Sequence, residues 1–141
     1  MVIADTGFWF ALASRRDRHH QRATAWLEAL HEPLITTWPV VVETCHLLLY
    51  RLGAESQTRY LLGFREGAFE LFALRREDMP RVVELMEKYA DLPMDLADAS
   101  LVLLAEHLGH GRILSTDERD FHTYRWKQRE PFRNLLLEAP A

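Results

Sequence analysis

The chain has 141 residues, enough for one domain with a sizeable core. Its 17 basic and 21 acidic residues give a formal net charge of -4, which excludes a protein that holds nucleic acid by bulk positive charge alone. A hydrophobic share of 48% with 27% charged residues is that of a soluble globular protein, and Cys45, the lone cysteine, excludes an internal disulfide and a cysteine-rich zinc site.

The opening MVIADTGFWFALA has the length of a signal-peptide core, but Asp5 interrupts it and no basic segment precedes it. No apolar run reaches the roughly 18 residues of a membrane span. Nor does a Pro/Gly/Ser-rich linker divide the chain. The expectation is a single domain over residues 1–141, with no membrane segment, in a reducing cytoplasm.

Val2–Ala4 reads as a buried strand that stops at the polar turn Asp5-Thr6-Gly7, and Phe8–Ala13 continues as a short helix or turn. Asp17 opens a helix to about His31, with Ala23, Trp26, Leu27 and Leu30 on its apolar face. Leu34–Thr37 is a second buried strand. Pro39 suits the first turn of the next helix, Val40 to Leu52, which Gly53 stops. A helix from Glu55 to Arg65, a strand over Phe69–Leu74 and a helix from Glu77 to Ala90 follow. After Pro93 the pattern predicts a helix over Asp95–Leu108, ended by Gly109 and Gly111, then a strand over Arg112–Ser115 and a helical turn over Glu118–Phe121. Tyr124–Lys127 and Phe132–Leu137 are late strand candidates. Alternating strands and helices predict an α/β domain with a mainly parallel sheet and helices on both faces.

In such a sheet the C-terminal strand ends share one edge, and sites form in the crevice there. Asp5 follows the first strand, Glu43 lies in the helix after the second, Asp95 and Asp98 open the helix before the fourth, and Asp117 follows the fourth. Four segments thus deliver carboxylates to one edge. Oxygen ligands of this kind suit Mg²⁺ or Mn²⁺, which activate water and stabilise a leaving oxygen in phosphodiester hydrolysis. Each Asp taken singly also reads as a helix cap, Asp95 with Asp98 as a capping box. Glu43 lies among Val40, Val41, Val42, Cys45, Leu47 and Leu48, in a helix that reads as largely buried, where a Glu needs a partner.

VIADTGFWFALA, VVVETCHLLL and MDLADASLVLLAEHLGHGRILSTDERDF resemble, in order and over essentially the whole chain, a PIN domain of the kind found in VapC-like ribonuclease toxins of bacterial toxin–antitoxin pairs. The resemblance implies a three-layer α/β/α sandwich on a parallel sheet of about five strands. It implies metal-dependent RNA hydrolysis, with Asp5, Glu43, Asp98 and Asp117 holding Mg²⁺ or Mn²⁺. Asp95 and Asp120 match accessory acidic positions, and Thr116 the Ser/Thr that precedes the last core Asp. An RNA substrate, a cognate antitoxin and a homodimer are the implied partners.

If Tyr124–Arg129 is extended, Arg125, Lys127 and Arg129 share one side and become candidates for phosphate contact, with Arg15 bordering the groove from the first loop. The same stretch also reads as an edge strand with one core face. The His residues show no zinc spacing. Two rivals stay open: a non-catalytic α/β module whose acidic cleft binds a basic partner segment, and a phosphotransfer domain. The latter is disfavoured because Gly7 stands where an Asp-nucleophile loop carries a second Asp.

Overall fold

Val2–Ala4 forms strand β1, and each of its residues is fully buried, as the innermost strand of a parallel sheet requires. A computed structural model describes residues 1–140. After β1 come helix α1 (Thr6–Ala13), α2 (His20–Ala29), β2 (Leu34–Thr37), α3 (Trp38–Arg51), α4 (Ala54–Arg65) and β3 (Glu70–Phe72). Then follow α5 (Met79–Lys88), α6 (Leu96–Leu108), β4 (Arg112–Leu114), α7 (Asp120–Thr123), β5 (Arg125–Trp126), β6 (Glu130–Pro131) and β7 (Arg133–Asn134).

The main sheet has five strands in the order β3-β2-β1-β4-β7, all paired in parallel and flanked by helices. Ile3 sits at the centre of the register, opposite Ile35 on one side and Ile113 on the other. The chain winds outward from β1 through β2 to β3, then returns to place β4 on the other flank of β1. That reversal leaves a crevice between the C-terminal ends of β1 and β4, where doubly wound sheets carry their sites.

The core is strongest at α6. Ala97 and Ala99–Ala105 are all buried, so this helix is apolar nearly all round and lies inside the molecule. Gly109 ends it with φ +77 and its N–H on Ala105, a left-handed cap that suits glycine. Gly111, expected to share in that stop, has a packing role instead: a Cβ there would meet Trp126 and the Phe132 backbone.

Other boundaries differ for local reasons. α2 starts at His20, not Asp17, because Asp17 accepts a hydrogen bond from the His19 N–H and holds a turn ahead of the helix. The expected helix from Glu77 splits into a 3₁₀ turn, Arg76–Asp78, and α5, with Pro80 in its first turn. The strand expected over Phe69–Leu74 is shorter, at Glu70–Phe72. Lys127 and Gln128 turn back with φ of +46 and +69, so Tyr124–Arg129 is a tight hairpin of β5 and β6 and not an extended strand. Phe132–Leu137 keeps only Arg133–Asn134 as strand before a 3₁₀ turn. Among the described residues, no helix is long and apolar enough to cross a membrane.

Candidate active site

Asp5 leaves β1 and caps α1. Its Oδ1 accepts a 2.8 Å hydrogen bond from the Thr6 N–H and its Oδ2 a 2.9 Å bond from the Ser115 hydroxyl. Only 8% of Asp5 is exposed. Burial raises its pKa from 3.8 to about 6; the bonds from Thr6 and Ser115 oppose that rise, and the carboxyls of Glu43 and Asp117 add to it.

Ser115 is fully buried just beyond β4. Its hydroxyl donates to Asp5 and accepts from the Asp117 N–H at 3.0 Å, so one oxygen ties the ends of β1 and β4 together. Thr116, the expected hydroxyl at this place, does not make that link. It packs against Gly7, where a Cβ would collide with the Thr116 hydroxyl. Asp117 accepts from the Asp120 N–H at 3.0 Å, and burial, then the Asp120 side chain, raises its pKa.

Asp95 and Asp98 form a capping box at the start of α6. The Asp98 N–H donates to Asp95 Oδ1 at 2.8 Å, and the Asp95 N–H to Asp98 Oδ2 at 3.4 Å. The Tyr124 hydroxyl donates to the same Asp98 oxygen at 3.2 Å. Burial pushes Asp98 from 3.8 up to about 8, with Asp95 and Asp5 repelling it further. Capping and membership of the acidic set therefore coincide in Asp98.

Glu43 corrects one expectation. Its helix is not largely buried: α3 buries Val40, Val41, Thr44 and Leu48, whereas Val42 and Glu43 are exposed. The carboxyl nonetheless borders the crevice, where lost solvent and Asp95 raise its pKa and the neighbouring Thr6 hydroxyl lowers it. That hydroxyl is buried and holds no well-formed hydrogen bond.

The acids thus form a connected set. Asp5 acts on Asp98 and Glu43 on Asp5, while Asp95 acts on both Asp98 and Glu43; Asp117 extends the set to Asp120. Mutual repulsion on this scale suits a site that draws a cation. Among the described residues, no three acidic, His or Cys side chains close into a ligand cage. An open arc of carboxylates with a spare hydroxyl at Thr6 fits a hard divalent ion that keeps several of its waters.

The candidate basic contacts do not gather here. Arg15 lines a separate groove of about 540 Å³ with Trp9, Leu48 and Tyr60. Arg125 turns one guanidinium nitrogen, Nη1, to the carbonyls of His122, Thr123 and Tyr124 at 2.8–3.0 Å, closing the end of α7. The Lys127 ammonium lies 5.8 Å over the Trp126 ring, and its N–H is held by Glu106 at 2.6 Å. Two residues that hold the acids were not assigned to the acidic set from the sequence: Ser115, and Tyr124, which was read as part of the late strand. Their one available signal was a hydroxyl close in sequence to Asp117.

The chain was compared with known proteins. It is 26% identical over 124 residues to Ribonuclease VapC26 of Mycobacterium tuberculosis, covering 88% of this chain and 92% of that protein. Its fold is similar to the crystal structure of Mycobacterium tuberculosis VapC20, a sarcin-ricin loop cleaving toxin, with a TM-score of 0.76 at 18% identity, over 84% of this chain and 92% of the other. The PIN domain pattern matches residues 2–127, a stretch that holds the parallel β1, β2, β3 and β4 and all the acids described above. On that match the chain belongs to the PIN domain family.

Proposed function

We propose that this protein is a divalent-metal-dependent endoribonuclease, the toxin of a toxin–antitoxin pair, folded as one domain over residues 1–141. The observation that carries the reading is the acidic set itself. Asp5, Asp98, Glu43 and Asp117 all have raised pKa values at one crevice, and repulsion among neighbouring carboxyls contributes to each. Left uncompensated, such a set destabilises the fold; a bound cation reverses the sign of its contribution.

Asp5, Glu43, Asp98 and Asp117 would hold Mg²⁺ or Mn²⁺, with Asp95 and Asp120 supporting them from the rim. The ion supplies a lowered pKa for attacking water and a counter-charge for the phosphodiester. The chain's own residues do the positioning. Ser115 keeps Asp5 and Asp117 in one geometry, and Tyr124 directs the second oxygen of Asp98. Burial of Asp5 keeps bulk water from the innermost oxygen, which strengthens every interaction there. The related ribonuclease and the structurally similar toxin support RNA as substrate, and the toxin supports an antitoxin partner. Exposed Val42, at 65%, and Tyr50, at 74%, provide apolar surface for a partner protein or a second copy. A cytoplasmic location follows from this role.

Cleavage of RNA by the purified protein, with Mg²⁺ or Mn²⁺ and with chelator, tests the reading against Asp5→Asn and Asp98→Asn. Metal-dependent cleavage lost in both variants supports it. Equal cleavage in all proteins points to a contaminant. Tight Mn²⁺ binding without cleavage of any RNA leaves a metal-binding module.

A further inference from the structure

We propose that Asn134 is a positioning residue for the acidic site: its side-chain amide sets Ser115, and through Ser115 both Asp5 and Asp117. The inference rests on the ribonuclease reading for its catalytic consequence and on hydrogen-bond geometry for its physical content. Asn134 lies outside the residues that match the PIN domain pattern.

β4 pairs with β7 only at Arg112 with Arg133 and Ile113 with Asn134; beyond that the chain leaves β7 for a 3₁₀ turn. The ladder would end one step before the site. The Asn134 side chain carries it further. Its Oδ1 accepts from the Ser115 N–H at 3.1 Å, and its Nδ2 donates to the Ser115 carbonyl at 2.9 Å. Oδ1 also accepts from the Leu136 N–H at 3.2 Å, which locks the amide from the 3₁₀ turn that follows. A side chain therefore does the work of a peptide group, with donor and acceptor both used.

The fixed residue is the one whose hydroxyl serves Asp5 at 2.9 Å and the Asp117 N–H at 3.0 Å. Without the clamp, Ser115 sits at a frayed strand end, and rotation of its backbone moves both carboxylates at once. Only a primary amide of this length satisfies the pair: Asp offers no donor to the Ser115 carbonyl and adds a charge beside an acidic site, while Leu offers neither group.

The test compares wild type with Asn134→Ala and Asn134→Leu. Amide hydrogen exchange of the metal-free protein reads the clamp directly. Ser115 and Asp117 should exchange at least roughly tenfold faster in both variants, measured relative to Leu101 in α6 so that global destabilisation cancels. Mn²⁺ titration should show affinity weakened by roughly 10- to 100-fold, the usual effect of losing an outer support of a metal site. For cleavage of a fixed oligoribonucleotide at saturating Mn²⁺, kcat should fall while KM stays within about twofold. If Asn134→Ala does not fold, Asn134→Leu, which fills the same space without either polar group, carries the comparison. Unchanged relative exchange at Ser115 overturns the clamp. Faster exchange with unchanged Mn²⁺ affinity and kcat overturns the positioning role. A wild type that neither binds Mn²⁺ nor cuts RNA overturns the ribonuclease reading instead, while the exchange comparison still decides whether Asn134 holds Ser115.

Discussion

Tyr124 donates its hydroxyl to Asp98 Oδ2 from a fully buried ring 26 residues away, packed edge-on against Phe121 at 5.3 Å and Tyr89 at 5.0 Å. The aromatic packing leaves the phenol little freedom, so the bond fixes the direction of the carboxylate. It also lowers the pKa of Asp98 against the burial that raises it. Tyr124→Phe should keep the fold at a cost of about 1 kcal/mol. It should reduce cleavage roughly tenfold or more and move the rise of activity to higher pH. A pH–rate profile beside a thermal melt checks this; an unmoved profile means that the hydroxyl serves stability alone.

Asp98→Asn should stabilise the metal-free protein while removing cleavage. The Asp98 pKa is raised from 3.8 to about 8, so its contribution to stability is full below pH 3.8 and is lost as pH rises toward 8. Near neutral pH the wild type carries that penalty and the amide does not. The gain should be about 1–2 kcal/mol, roughly 3–8 °C in Tm. Saturating Mn²⁺ should reverse the order by stabilising wild type more. Differential scanning calorimetry at pH 5 and 8, with and without Mn²⁺, tests the sign; a variant less stable than wild type at pH 8 without metal contradicts it.

Gly7→Ala should damage the site because the new methyl meets the Thr116 hydroxyl. Overpacking of this kind costs about 1–3 kcal/mol, and relief by displacing Thr116 would disturb the adjacent Asp117. Thr116→Ala in the same chain removes the colliding atom and should recover part of the stability. Denaturant melts of both single variants and the double variant give the coupling; strict additivity would show that the two residues do not meet.

Far from the acids, Arg112 holds Glu32 through two 2.8 Å bonds, joining the start of β4 to the loop before β2. The guanidinium keeps the Glu32 pKa down at about 2. A depressed pKa adds stability above about pH 4.5, and that stability is lost as pH falls toward 2. Both side chains are about one-third exposed, so solvent screening limits the effect to about 0.5–1 kcal/mol. Glu32→Gln should flatten the acid side of the stability curve by this amount, read from urea midpoints between pH 3 and 6.

The strands β1, β2 and β4 were legible because an innermost parallel strand needs an unbroken apolar run, and the acids at their ends announce themselves by type. Ser115 was not legible: a small hydroxyl at a strand end looks the same whether it faces solvent or ties two carboxylates. The reversal at Lys127 and Gln128 was hidden because neither is Gly or Asn, the usual marks of positive φ. Glu43 was misplaced because its apolar neighbours suggested burial, whereas Val42 and Tyr50 lie on the surface. Arg125, a candidate for phosphate contact, turns one guanidinium nitrogen to carbonyls at the end of α7, a contact that its charge alone does not announce.

The bond from Ser115 to Asp5 spans 110 residues, and its support comes from Asn134, still later in the chain. A nascent chain that has left the ribosome only as far as β3 carries Asp5 and Glu43 but neither Ser115 nor Asp117. A chain that ends at β3 therefore cannot assemble the acidic set, which closes only once β4 and β7 are in place.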